Sequence, residues 1–334
     1  MPTDLSAAGA SPPDPAAPTH SGADGVDARL ARRLGRVHAR QRIGIEEAHE
    51  AQAFGQGLNF FHFENWYSVH AMMRLALRLA GLYGRGRRNA AKVVTRRNDI
   101  VSAHLPPEFD GYALLHLSDL HADMSEEAMA ATRSLVAGLD YDLCVMTGDY
   151  RARTCGGYSA ALEAMTPLVR AVKPPIYGVF GNHDTIRMTP ALEDLGVRML
   201  INESVEISRD GASIFLAGVD DAHFFRMDNI EKAAADIPPE GFSILLSHTP
   251  EIYAQAAHAG FDAMLSGHTH GGQICLPGGT PITLDSHLPR RYGTGPWRYC
   301  GMSGYTSVGC GSSVLPVRLN CPPEITVHRL RRSA

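Results

Sequence analysis

The chain has 334 residues, of which 44% are hydrophobic and 20% charged, with a formal net charge of −4. This suits a soluble globular protein with a sizeable core, as one large domain or two ordinary ones. Six scattered cysteines with no C-x-x-C pair exclude a zinc ribbon and a dense disulfide scaffold, and fit a reducing compartment.

Three regions follow in chain order. Residues 1–28, opening "MPTDLSAAGASPPDPAAPTH", are rich in Ala, Pro, Gly and Ser. They have too little apolar surface to offset ordering entropy and are expected to be a disordered tail. With neither a basic start nor an apolar stretch, this terminus does not read as a cleaved signal peptide. Residues 29–100 read as a basic helical extension. From Trp66 to Arg97 there are eight basic side chains and no acidic one. Within it, "VHAMMRLALRLAGLYG" carries Val69, Met72, Met73, Ala76, Leu79, Ala80 and Tyr83 at helical spacing, with Arg74 and Arg78 on another side. Two readings stay open. The helix lies on an anionic membrane surface, or it packs on the following domain with its arginines solvated. No nucleic-acid motif accompanies the charge, so nucleic acid is not an expected partner. No run of about 18 apolar residues suggests a spanning helix, and the expected location is cytoplasmic, peripheral on the inner membrane face if the basic helix binds lipid.

Residues 101–334 form the third region, where short apolar runs end in polar motifs. "YALLHLSDLH" ends with Asp119 and His121, and "DLCVMTGDY" with Asp149. "PIYGVFGNHD" ends with Asn182, His183 and Asp184, "FSILLSHTP" with His248, and "LSGHTHGGQICLP" holds His268 and His270. Such runs read as buried strands, and layered α/β folds gather ligands at strand carboxyl ends. Imidazole, carboxylate and amide oxygen suit borderline and hard divalent metals, and no cysteine stands at a motif position. Asp119, His121, Asp149, Asn182, His248, His268 and His270 are too many for one ion. They fit two ions about 3.5–4 Å apart that share a carboxylate and a water. Mn, Fe, Zn and Mg all remain candidates.

The order D-x-H, G-D, G-N-H-D, lone His, G-H-x-H resembles the calcineurin-like metallophosphoesterases over roughly residues 110–330. The resemblance implies an α/β (α+β) four-layer αββα sandwich, two mixed β-sheets flanked by helices. It implies one ion on Asp119, His121, Asp149 and His270, and another on Asp149, Asn182, His248 and His268, with Asp149 bridging. It further implies that His183 touches phosphate or protonates the leaving oxygen; Asp184 either orients His183 or caps the next turn. The implied reaction is hydrolysis of a phosphoester or pyrophosphate bond by metal-activated hydroxide, on a phosphorylated small molecule, nucleotide or lipid-linked substrate. The closing segment "GCGSSVLPVRLNCPPEITVHRL" resembles the bacterial branch that includes membrane-associated phosphoesterases and UDP-diacylglucosamine pyrophosphatases. A contrasting reading is a retired phosphoesterase fold serving as a membrane-associated scaffold; an intact ligand set argues against it.

Departures from the family pattern bear on the substrate. The phosphoprotein phosphatases continue the second motif as G-D-Y-V-D-R-G, whereas this chain reads "GDYRART". Arg151 and Arg153 are the candidates for the displaced phosphate contact. Asp123 is expected to face solvent, and His116, inside a predicted strand, to be a satisfied core residue. "GVDDAH", with Asp220, Asp221 and His223, reads as a turn near the pocket.

Overall fold

The apolar runs form the strands that carry the site. A computed structural model describes residues 21–54 and 67–333. Four helices lead: α1 (Ser21–Leu34), α2 (Arg36–Phe54), α3 (Tyr67–Leu79) and α4 (Tyr83–Ala90). Next come β1 (Val94–Ser102), β2 (Ala113–Leu117), α5 (Glu126–Val136), β3 (Leu143–Met146), α6 (Ser159–Val169), β4 (Ile176–Gly178), α7 (Thr189–Asp194) and β5 (Val197–Met199). The second half holds β6 (Glu203–Arg209), β7 (Ala212–Gly218), α8 (Ile230–Ala234), β8 (Ser243–Leu246), α9 (Tyr253–His258) and β9 (Ala263–Ser266). It closes with β10 (Gly295–Tyr299), β11 (Met302–Thr306) and β12 (Glu324–Arg332).

Two six-stranded sheets result, in the orders β1-β12-β2-β3-β4-β5 and β10-β11-β9-β8-β7-β6. Both are mixed. The central neighbours β2, β3, β4 and β5 run parallel, as do β7, β8 and β9, while β12 opposes β2 and β6 opposes β7. Strand pleating sends alternate side chains to opposite layers. Leu114 and Val145 enter the layer between the sheets, with Ile244, Leu246 and Leu265 from the other side. Their neighbours Leu115 and Cys144 face the outer layer with Met165 and Leu168 of α6. Leu245 and Met264 face the opposite outer layer, with Ala256 of α9. Burial on both faces explains why these parallel strands read as continuous apolar runs rather than alternating ones. Each fully buried Leu or Val among them is worth about 1.5–3 kcal/mol. The architecture is the αββα sandwich of two mixed sheets flanked by helices.

The N-terminal boundaries move. Helix α1 begins at Ser21, inside the stretch expected to be disordered, while residues 1–20 lie outside those described. Its order comes from distant partners. Leu30 and Leu34 are buried in the outer layer, Asp27 pairs with Arg187 at 3.1 Å, and Arg33 bonds Glu193 and Glu203. Composition read over a local window reports none of these contacts. The other end shifts too: β1 pairs in parallel with β12 as an edge of the first sheet, so residues from Val94 belong to the sandwich and not to a helical extension.

Helix α3 stands as the periodicity predicts, and among the described residues three of its apolar side chains are exposed. Met72, Leu75 and Leu79 are 63%, 57% and 81% exposed. Among the described residues no helix is long and apolar enough to cross a membrane.

Candidate metal centre

Strands β2, β3, β4, β8 and β9 end on the same side of the sandwich, and the loop after each delivers the polar groups. Asp119, His121, Asp149, Asn182, His183, Asp184, His248, His268 and His270 are all buried. Burying so many polar groups is costly unless each is paired or ligated. Five of them, Asp119, His121, Asp149, His268 and His270, take positive φ between 39° and 74°. Left-handed backbone at non-glycine residues is uncommon, and its concentration here marks strain held in a functional site.

Two subclusters meet at Asp149. In the first, ligand atoms of Asp119, His121, Asp149 and His270 lie within 4.8 Å of one another, a group able to hold a divalent metal. His121 Nε2 and His270 Nε2 are 3.1 Å apart, and His270 Nε2 is 3.5 Å from Asp119 Oδ1. In the second, Asn182 Oδ1 lies 3.0 Å from both His248 Nε2 and His268 Nδ1. Asp149 Oδ2 is 3.6 Å from His121 Nε2 on one side and 3.3 Å from His248 Nε2 on the other.

The supports behind these groups set their orientation. His121 Nδ1 donates to the carbonyl of Arg151 at 2.9 Å, and His248 Nδ1 to that of Thr147 at 2.7 Å. Rings held this way turn Nε2 inward, where its lone pair can bind a metal once any proton on it is displaced, as in metal sites generally. Buried carboxylate, amide and imidazole donors thus fit a hard or borderline divalent cation. Glycine is required beside them. A Cβ on Gly267 would overlap Ser118 Oγ and Asp119 Oδ2, and one on Gly181 would overlap Asp149 Oδ1. These two positions answer for the glycines around the G-H-T-H and G-N-H-D motifs.

Burial alone would raise the Asp149 carboxyl, but the imidazoles of His248, His183 and His121 outweigh it and hold it well below the usual range. Burial likewise opposes protonation of His248, yet Asp149 pushes that ring up to about 10. Burial, with Asp149 adding to it, pushes Asp119 and Asp184 up to about 6. His270 is driven well below its ordinary value by burial, His121 and Arg318, and is therefore neutral.

The remaining candidates separate. Asp184 accepts from the backbone N–H groups of Asp149, Tyr150 and Gly181 at 2.7–2.9 Å. These bonds make it a clamp between two motif loops. His183 Nε2 stands 4.0 Å from Asp149 Oδ2, with its ring edge-on to His121. Arg151 is not aimed at phosphate: its guanidinium is buried on the carbonyls of His183, Thr154 and Gly156. Arg153 is exposed. Asp123 is exposed and accepts from Ala152 N at 2.8 Å. Asp221 caps its turn by accepting from His223, Phe224 and Phe225 N, while His223 pairs with Glu251 at 2.9 Å and lies 4.3 Å from the His268 ring.

Sequence reasoning missed Arg318, Arg42 and Ser118. Arg318 is wholly buried, bonded to the carbonyls of Val308 and Gly311, with Nη2 3.2 Å from His270 Nδ1. No local signal announces it; only the buried cation in an otherwise apolar "SVLPVRLN" run hints at a partner.

Residues 112–272 match the calcineurin-like phosphoesterase family model. The uncharacterized metallophosphoesterase YkuE of Bacillus subtilis is 30% identical over 268 residues, covering 77% of this chain and 92% of that one. The chain belongs to the calcineurin-like phosphoesterases. A second Bacillus subtilis relative, the uncharacterized metallophosphoesterase YkoQ, is 30% identical over 65% of this chain and 83% of its own. The phosphodiesterase YaeI of Escherichia coli is 28% identical over 66% of this chain and 82% of its own. This calcineurin-like phosphoesterase is accordingly a metal-dependent phosphoric ester hydrolase, with a buried Asp/His cluster able to hold a divalent metal.

Proposed function

We propose that the enzyme hydrolyses a phosphodiester or pyrophosphate bond at a dinuclear centre. One ion is held by Asp119, His121, Asp149 and His270, and the other by Asp149, Asn182, His248 and His268. The observation that carries this is the position of Asp149 Oδ2, between His121 Nε2 at 3.6 Å and His248 Nε2 at 3.3 Å. When bound, two divalent cations supply water activation and charge neutralisation for phosphoryl transfer. The chain's own residues do the rest. Asp149 would be shared by the two ions, the backbone clamp of Asp184 holds the loops of Asp149 and His183 in register, and buried strand ends exclude bulk water. His183, at the rim beside Asp149, is the proton donor to the leaving oxygen or the contact to phosphate.

The name of the relative YaeI, a phosphodiesterase, supports a diester over a monoester substrate. A lipid-linked substrate is favoured by α3 and α4. Their exposed Met72, Leu75 and Leu79 lie beside exposed Arg74, Arg78, Arg85, Arg87 and Arg88. An apolar face flanked by cations suits an anionic bilayer surface, which would make the protein peripheral on a membrane.

The deciding experiment measures metal content and turnover of wild type and Asp149→Asn on phosphomonoesters, phosphodiesters and lipid pyrophosphates, with Mn, Fe, Zn and Mg in turn. The proposal expects two metals per wild-type chain and joint loss of metal and activity in Asp149→Asn. A folded Asp149→Asn protein with two metals and normal turnover defeats it.

A further inference from the structure

Behind Asp119, away from the metal cluster, a row of polar side chains crosses the first sheet. Ser118 Oγ donates to Asp119 Oδ2 at 2.6 Å, and Thr147 Oγ1 to Ser118 Oγ at 2.7 Å. His116 Nε2 lies 2.8 Å from Thr147 Oγ1, and His116 Nδ1 lies 3.2 Å from His328 Nε2. His328 Nδ1 meets Asn98 Nδ2 at 3.0 Å, on the edge strand β1. Thr147, His116 and His328 are wholly buried, and Ser118 is 1% exposed. Burial pushes His116 down to about 3 and His328 well below its ordinary value, so both rings are neutral at physiological pH.

The proton count then fixes every direction. An ionised carboxylate only accepts, so Ser118 gives Asp119 its single proton. Ser118 must accept from Thr147, whose hydroxyl proton is thereby spent. Thr147 can only accept from His116, which places the His116 proton on Nε2 and leaves Nδ1 as acceptor. His328 must in turn carry its proton on Nε2, and its Nδ1 accepts from the Asn98 amide. Five hydrogen bonds point one way, toward Asp119, and aligned bonds in a low-dielectric interior polarise one another. Their effect on Asp119 is selective. The His268 backbone N–H donates to both oxygens, at 3.0 and 3.2 Å, but Oδ2 alone takes the Ser118 hydroxyl and Oδ1 alone lies 3.5 Å from His270 Nε2.

We propose that Asn98, His328, His116, Thr147 and Ser118 are positioning residues, a one-directional hydrogen-bond relay that holds Asp119 with Oδ1 presented to the metal centre. The proposal rests on Asp119 being a metal ligand. Buried polar groups also bond merely to be satisfied, so the test must read something that simple satisfaction leaves unchanged.

The first measurement is the tautomer of His116 and His328 in the metal-free wild-type protein, from ¹⁵N ring shifts, with His116→Gln and His328→Gln spectra for identification. Both are expected as neutral Nε2–H rings. An Nδ1–H tautomer or an imidazolium at neutral pH at either position overturns the relay. The second compares Thr147→Val, which cuts the relay at its middle with little change of shape, with Thr147→Ser, which restores the hydroxyl. Zinc affinity by competition titration and kcat are expected to fall about 10–100-fold in Thr147→Val, the usual scale for partners behind metal ligands. KM should change little, and Thr147→Ser should recover most of the loss. Wild-type zinc affinity in a folded Thr147→Val protein overturns the proposal. Should Thr147→Val not fold, zinc affinity and kcat of His116→Gln, already made for the spectra, decide in its place, with wild-type values overturning the proposal. A wild-type protein that takes up no metal would instead sink the metal-centre reading, which the tautomer result does not depend on.

Discussion

Arg42 Nη2 donates to the backbone carbonyl of Asp184 at 3.3 Å, while Nε of the same guanidinium faces Asp220 Oδ1 at 3.3 Å. One side chain of helix α2 thus joins the G-N-H-D loop to the G-V-D-D loop, and it is wholly buried. Glu46, one turn on, completes the joint. It bonds Arg42 Nη1 at 2.6 Å and accepts from Ile186 N at 2.8 Å. The guanidinium carbon also lies 3.4 Å from the centroid of the Phe225 ring.

Arg42→Met leaves Asp220 buried without its strongest counter-charge. Removing one partner of a buried ion pair costs about 3–5 kcal/mol. The expected result is a large drop in denaturant midpoint, partly recovered by the double variant Arg42→Met with Asp220→Asn. Equal stability of wild type and Arg42→Met would show that the joint is not needed for folding.

His183→Ala should keep both metals, because His183 stands outside the ligand set, and lose about 10²–10⁴ in turnover, the scale of general acid catalysis. The loss should shrink for substrates with good leaving groups, which need no proton. If good and poor leaving groups lose equally, His183 binds phosphate instead.

Metal affinity should rise with pH through the neutral range. Without metal, Asp149 pushes His248 up to about 10 against the opposing effect of burial. Below that value the ring is protonated, and an entering cation must displace the proton. For one displaced proton the apparent affinity gains about tenfold per pH unit. Stability of the metal-free protein runs the other way. A raised histidine contributes fully below its ordinary 6.5 and loses that contribution as pH rises through about 10. Proton release measured calorimetrically in buffers of different ionisation enthalpy checks the first trend, and metal-free melting against pH checks the second. A pH-independent affinity between 6 and 9 would remove His248 from the site.

Helix α3 is expected to bind anionic vesicles at low salt and release them at high salt, since exposed charge is screened over about 10 Å at 0.1 M. Each basic residue near the surface is worth about 1 kcal/mol. Changing Arg74, Arg78, Arg87 and Arg88 together to Gln should abolish co-sedimentation without altering turnover of a soluble substrate. Wild type that ignores anionic vesicles at low salt leaves a soluble substrate as the better reading.

What the sequence determined by itself is the set of loops that form the site. Asp119 with His121, Asp149, Asn182 with His183, His248, and His268 with His270 follow five short apolar runs, so periodicity and turn residues announce both the strand and the polar groups at its end. The αββα sandwich came from the order of those motifs, through their resemblance to the calcineurin-like phosphoesterases, and the observed sheets agree with it. Only the tertiary structure decided what stands behind those loops. Arg42 and Asp220 are 178 residues apart in sequence, and His116 and His328 are 212 apart. A lone arginine on a helix and a lone histidine in a strand carry no local mark of their partners. The same holds for α1, whose order comes from Arg187, Asp194 and Glu203 and not from its own composition. Residues that a strand or turn presents are encoded by neighbours along the chain. Those that fix the presented groups in place are encoded by burial, and burial exists only once the layers have closed.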